Sequence, residues 1–223
     1  MRNLTVGLAL VLCLSWAGAV WAGPVAPVPQ TGQVLCYDEI GGEISCGDKL
    51  KGQDGELQKG FNLPTPRFTD KGDGTIEDNL TGLTWLKNAD CVSLDITWQN
   101  ALEFVNNLNL GRITAPAPLG HCGDTSGRRA THQTDWRLPN VREMFSLIDF
   151  AFFSPAISNA AGTERATSED PFVNLQQAVY WTSTTKAGVG ITDHAWVVDV
   201  SDGGIGFDNK ATLHPVIAVR GGR

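Results

Sequence analysis

Positive charge is scarce in this 223-residue chain, where 17 Lys and Arg stand against 24 Asp and Glu for a formal net charge of −7. A field of that sign argues against nucleic-acid binding, and an anionic glycan would need a local basic cluster to hold it. Long apolar runs are scarce too. After residue 22 no segment approaches the roughly 20 apolar residues that a bilayer span needs. No G-x-S-x-G, H-E-x-x-H or phosphate-loop pattern arranges Ser, His, Asp or Lys for chemistry, so no catalytic residue is assigned. His194 and His214 stand alone near strand ends and read as structural or solvated. At 42% hydrophobic and 18% charged, the chain still carries enough apolar material for one compact domain with an arm.

The first 22 residues have one basic residue, an apolar run from Leu4 to Leu14, and Val20 and Ala22 where a leader peptidase reads. They read as a signal peptide cleaved after Ala22, which places the mature protein in the periplasm or outside the cell. Cys13 leaves with the leader. Cys36, Cys46, Cys91 and Cys122 remain, an even number in an oxidising compartment. Three connectivities are open to four cysteines. Cys36 with Cys46 and Cys91 with Cys122 is the expected one, because it closes the shortest loops.

Residues 23–65 read as a stapled appendage: a Pro and Gly arm, a hairpin turning at Gly41 and Gly42 between the cysteine stems, and a polar linker without sustained period. The main domain spans 66–223. Short strands are expected around RFT, TIED and LTWLK. A helix capped by Thr97 follows, with Trp98, Ala101, Leu102, Val105 and Leu108 on its buried face. A second helix has Asn140 as N-cap, Glu143 as capping-box partner, and a stripe of Val141, Met144, Phe145 and Ile148. Strands near VYWTST, HAWVVDV, GIGF and VIAVR should form a late antiparallel sheet, turning at Ser201 to Gly204. Two helices followed by such a sheet make an α+β domain.

The stretches FTDKGDGTIEDNLTGLTWLKNADC, TWQNALEFVNNLN, DWRLPNVREMFSLID, YWTSTT, AWVVDVSDG and AVRGG occur in the order and spacing of a known family. Over residues 67–222 the chain resembles the Lcl C-terminal domain family, a bacterial domain named from a collagen-like adhesin. The resemblance implies a C-type-lectin-like fold, with two amphipathic helices packed on short antiparallel sheets and long irregular loops. It also implies a relation to formylglycine-generating enzymes, whose RLP-then-helix and terminal RGG elements are similar to Arg137 to Glu143 and Arg220 to Gly222. Exported or surface-exposed proteins are implied by the family, and trimer formation with glycosaminoglycan binding by the named adhesin. Two departures bear on chemistry. Formylglycine-generating enzymes use cysteines late in the domain, and here none follows Cys122. Sugar-binding C-type lectins hold calcium with Glu-Pro-Asn or Gln-Pro-Asn and Trp-Asn-Asp patterns, and neither is present.

Two residue groups are candidate sites. Arg112, Arg128, Arg129 and His132 lie on one long loop, 111–133, as the densest basic group of the mature chain. They are a contact for an anionic ligand, against the plainer reading of solvated loop charges. Asp70, Asp73 and Asp78 offer hard oxygen ligands for calcium, but their spacing departs from an EF-hand, and a tight Asp and Gly turn is the plainer reading. Trp85, Trp98, Trp136, Trp181 and Trp196 are expected in the core. The chain thus reads as an exported, non-catalytic binding domain for a glycan or envelope polymer. An assembly subunit contacting envelope protein is the alternative, and an unrecognised enzyme the third reading. No cofactor is assigned, with calcium the one kept open, and a homo-oligomer stays open.

Overall fold

The computed structural model describes residues 28–47, 51–113, 122 and 133–222. The expected leader, residues 1–22, and Arg128, Arg129 and His132 lie outside the described residues.

The arm opens with strands β1 (Cys36–Tyr37) and β2 (Glu43–Ile44), paired antiparallel as Cys36 to Ile44 and Tyr37 to Glu43. The Asp38 carboxylate accepts the N–H groups of Ile40 and Gly42 at 3.1 and 2.7 Å, and Gly41 takes φ +84°. A short acceptor beside a glycine that tolerates positive φ turns the chain here. The Cys36–Cys46 disulfide closes the stems. The linker is not featureless: α1 (Asp54–Leu57) forms one turn within it. Gly55 lies against Leu35, so close that a Cβ would fall 2.0 Å from the Leu35 carbonyl oxygen. Four residues are too few to show a period, which is why pattern reading passes over this turn. The arm is also more than an appendage, because Phe150 donates its N–H to Thr31 O at 2.8 Å and ties it to the main domain.

The main domain begins with β3 (Phe68–Asp70), β4 (Thr75–Asp78) and β5 (Thr84–Leu86), an antiparallel meander at the expected positions. Helix α2 (Trp98–Asn109) follows, with the Thr97 side chain accepting from Asn100 N. It buries Ala101, Phe104, Val105 and Leu108, while Trp98 and Leu102 are only half-buried. The buried stripe is therefore turned toward Phe104. Helix α3 (Val141–Phe145) is shorter than its stripe suggests. Its capping box is complete: Asn140 Oδ1 accepts from Arg142 N and Glu143 N at 2.9 and 3.0 Å, and Glu143 accepts from Asn140 N at 2.8 Å. Met144 and the post-helical Leu147 are buried, whereas Val141, Phe145 and Ile148 only border the core.

Strands β6 (Val179–Thr185), β7 (His194–Asp199) and β8 (Ile205–Asn209) form a three-stranded antiparallel sheet in that order. The last strand, β9 (Val219–Arg220), does not extend it. It pairs instead with β5, Trp85 opposite Val219, giving a four-stranded sheet ordered β3-β4-β5-β9. The start and end of the domain are thereby hydrogen-bonded together. Arg137 reinforces the join, gripping Glu143 with two hydrogen bonds of 2.6 and 2.7 Å and donating to Gly221 O at 2.8 Å. A bidentate guanidinium fits a carboxylate at little further entropic cost. One core unites these parts, with Trp85, Leu86, Trp181, Tyr180, Ile217 and Met144 almost fully excluded from solvent. The mixed α+β class stands, with three short antiparallel sheets.

Candidate functional site on the outer face of the late sheet

Successive side chains of a strand point to opposite faces. On β7, Ala195 and Val197 are buried, while His194 and Trp196 emerge half-buried on the other side. Register places Phe207 of β8 directly opposite Trp196. Their ring centroids are 5.9 Å apart at 77°, and His194 meets the same Phe207 ring at 5.8 Å and 75°. Phe207 is 49% exposed and its strand neighbour Ile205 46%. The rings thus form an edge-to-face row that the core does not need.

A lysine stands over that row. Lys186 follows β6, held by its N–H to His194 O at 2.9 Å, and its Nζ lies 4.8 Å from the Trp196 centroid and 5.2 Å from that of Phe207. At such distances the negative faces of the rings attract the ammonium. Lys210 repeats the arrangement, with Nζ 4.1 Å from the Trp98 centroid. It also donates to Thr185 Oγ1 and Thr192 O at 3.1 and 2.9 Å. Asp193 completes the rim, accepting from His194 Nδ1 at 2.8 Å and Asn209 Nδ2 at 2.9 Å. The His194 hydrogen bond holds the Asp193 carboxyl below the usual aspartate value. The surface therefore combines aromatic area with cationic, anionic and amide groups that can orient a polar ligand.

Of the basic cluster on the loop 111–133, Arg112 is the member among the described residues. It follows α2, with its N–H on Asn107 O at 2.9 Å, and lines a cleft of ≈ 380 Å³ with Cys91, Asn100, Glu103 and Asn107. The other three members of that cluster lie outside the described residues. The second candidate site is not assembled. Asp70 pairs with Lys87 at 2.6 Å and caps Gly72 N, while Asp73 caps Thr75 through its N–H and hydroxyl. Asp78 is fully buried, ion-paired with Arg67, and accepts from Leu80 N and Thr81 Oγ1. Each carboxylate serves its own turn or partner, so the three do not converge on one point. Among the described residues no three His, Cys, Asp or Glu are grouped to hold a metal ion.

Both expected disulfides are present, Cys36–Cys46 and Cys91–Cys122. Trp85, Trp136 and Trp181 are buried as expected, and Trp98 and Trp196 are the two partly exposed indoles, each under a lysine. His214 is structural, packed on Trp181 with centroids 4.6 Å apart and 3.1 Å from Asp208. Lys186, Lys210 and Phe207 escaped sequence reading. The parity of His194 and Trp196 signals an outward face, but the register that adds Phe207 is a matter of strand pairing.

The Lcl C-terminal domain model matches residues 74–220, from β4 to β9. The hairpin, α1 and β3 fall outside that match. No curated protein matches the chain.

Proposed function

The chain belongs to the Lcl C-terminal domain family, and from that premise we propose that it is an exported, non-catalytic domain binding a glycan or envelope polymer on a C-type-lectin-like scaffold. The observation that carries this reading is the row His194, Trp196 and Phe207 on the open sheet face, crossed by Lys186. An aromatic surface rimmed by Lys186, Asp193 and Asn209 suits the flat apolar faces and polar edges of sugar rings. Export is supported by the two disulfides, which belong to an oxidising, extracytoplasmic environment. None of the described helices is long and apolar enough to cross a membrane. The pairing of β9 with β5 supports the scaffold, since it locks the domain ends while the loops stay free to vary.

The test is a titration of the mature protein and of Phe207→Ala, Lys186→Ala and Arg128→Ala/Arg129→Ala against neutral and sulfated glycans at two salt concentrations. Phe207→Ala should weaken binding about tenfold, roughly 1.4 kcal/mol, with little change in Tm because the ring is half-exposed. Loss confined to the double arginine variant, relieved by salt, would move the site to the basic loop. The assembly reading has its own observation. β8 is a sheet edge bearing the exposed Ile205 and Phe207, the kind of strand that pairs with another chain. Absence of glycan binding, together with sedimentation as an oligomer that Phe207→Ala dissociates, would favour it.

A further inference from the structure

The arm borders a second cavity, remote in sequence from the aromatic face, with half of its lining residues outside the family match. Gln30 N donates to Phe61 O and Phe61 N to Val28 O, both at 3.0 Å, while Thr31 O receives Phe150 N. These bonds draw the arm across the segment that follows α3. Gly32, at φ +89°, passes so close to Asp149 that a Cβ would sit 2.0 Å from its Oδ1. Only glycine allows both the conformation and the approach. Behind this crossing lies a cavity of ≈ 380 Å³, lined among others by Gln30, Gly32, Asn62, Asp149, Phe152 and Thr163. That volume is at the small end of ligand pockets, about 300–1,000 Å³.

Among the described residues Asp149 is the sole ionisable one lining the cavity, and it is 5% exposed. Its Oδ1 accepts Ala151 N at 3.0 Å. Burial pushes its carboxyl up from the ordinary value, and the Ala151 N–H and the nearby Arg67 charge only partly oppose this. Arg67 is itself neutralised by Asp78, so the Asp149 charge is left without a dedicated counter-ion. A buried carboxylate in that condition is stabilised by a cation brought to it. Gln30 donates through Nε2 to Gln58 O and Thr163 Oγ1 accepts from Asn159 Nδ2, which leaves the Gln30 amide oxygen, the Asn62 amide and the Thr163 O–H to meet hydroxyl groups, and Phe152 supplies an apolar wall. One carboxylate falls short of the six or more oxygens calcium takes, and an anion would meet Asp149 unfavourably.

We propose that this cavity binds a small hydroxylated ring carrying one protonated amine, an amino sugar, with the ammonium on Asp149 and the hydroxyls on Gln30, Asn62 and Thr163. The site does not depend on the aromatic face. It requires the arm, which supplies Gln30 and the glycine that lets the chain pass over the carboxylate.

The experiment titrates glucosamine, N-acetylglucosamine and glucose into the full mature chain at pH 6 by calorimetry. Asp149→Asn, Asn62→Ala and Phe207→Ala are titrated alongside, with thermal unfolding of each as a folding control. Glucosamine should bind the unsubstituted protein at least tenfold more tightly than its N-acetyl form, which has lost the charge. Asp149→Asn, which keeps the Oδ1 acceptor for Ala151, should lose that preference. Asn62→Ala should weaken all binding several-fold, and it carries the test if Asp149→Asn does not fold. Phe207→Ala should change nothing here, which separates this cavity from the sheet face. Absence of glucosamine binding, equal binding of the N-acetyl form, or an unaltered preference in Asp149→Asn would overturn the proposal.

Discussion

Replacing Asp78 by Ala removes one half of a buried ion pair and leaves the other half stranded. Asp78 and Arg67 are 0% and 2% exposed. The Arg67 guanidinium keeps a 2.8 Å bond to Ser146 O and its place over the Phe68 ring, 4.4 Å from the centroid, but it loses its ion-pair partner, and only the Asp149 charge remains near it. Leu80 N and the Thr81 hydroxyl lose their acceptor as well. Removing one partner of such a pair costs about 3–5 kcal/mol, because an uncompensated charge stays buried. For a domain of this size each kcal/mol shifts Tm by about 2–4 °C, so a fall of roughly 6–20 °C is expected. The assay is thermal unfolding by circular dichroism at pH 7, with and without calcium. Arg67→Met/Asp78→Leu should recover much of the loss, since an apolar pair needs no counter-charge. A loss below about 1 kcal/mol for Asp78→Ala would refute the reasoning. A calcium-dependent Tm in the unsubstituted protein that vanishes in Asp78→Ala would return Asp78 to the metal-ligand role that its sequence context suggests.

Reducing the disulfides singly, by Ser substitution of each pair, should cost more for Cys91–Cys122 than for Cys36–Cys46. The sequence separations are 31 and 10, which the loop-entropy relation converts to roughly 3.7 and 2.7 kcal/mol, and both sulfurs of the longer bridge sit in the main core. Chemical denaturation checks the order, and equal losses would contradict it. Asp149 predicts a pH effect. Its folded carboxyl binds a proton at higher pH than the ordinary 3.8, so its contribution to stability rises as pH falls through the raised folded value and levels off below 3.8. Asp70, held low first by its Lys87 hydrogen bond, acts oppositely: its contribution is present above 3.8 and lost as pH falls through the lowered folded value. The stability difference between the unsubstituted protein and Asp149→Asn, followed from pH 8 to 4, should slope in the Asp149 direction. A flat difference would show that burial does not perturb this carboxyl.

The features legible in the sequence are those whose partners are near in the chain. The Asn140 and Glu143 capping box, the Thr97 cap, the hairpin turning at Gly41 and Gly42, and the local disulfide pairing each rest on short separations, where residue type and spacing set the geometry. The α+β class followed from the same local periods. Tertiary structure decided what depends on distant segments meeting. Pairing of β9 with β5 joins residues 84–85 to 219–220, and nothing in a short apolar run says which of two sheets it will enter. The outward row of His194, Trp196 and Phe207 needs the β7 and β8 register, and its lysine arrives from the end of β6. Asp78 looks like its acidic neighbours until Arg67 is folded over it, and Asp149 looks like an ordinary post-helical acid until Gly32 crosses it. Burial and the presence of a partner set the energy of a charge, and both are properties of the packed chain rather than of its order.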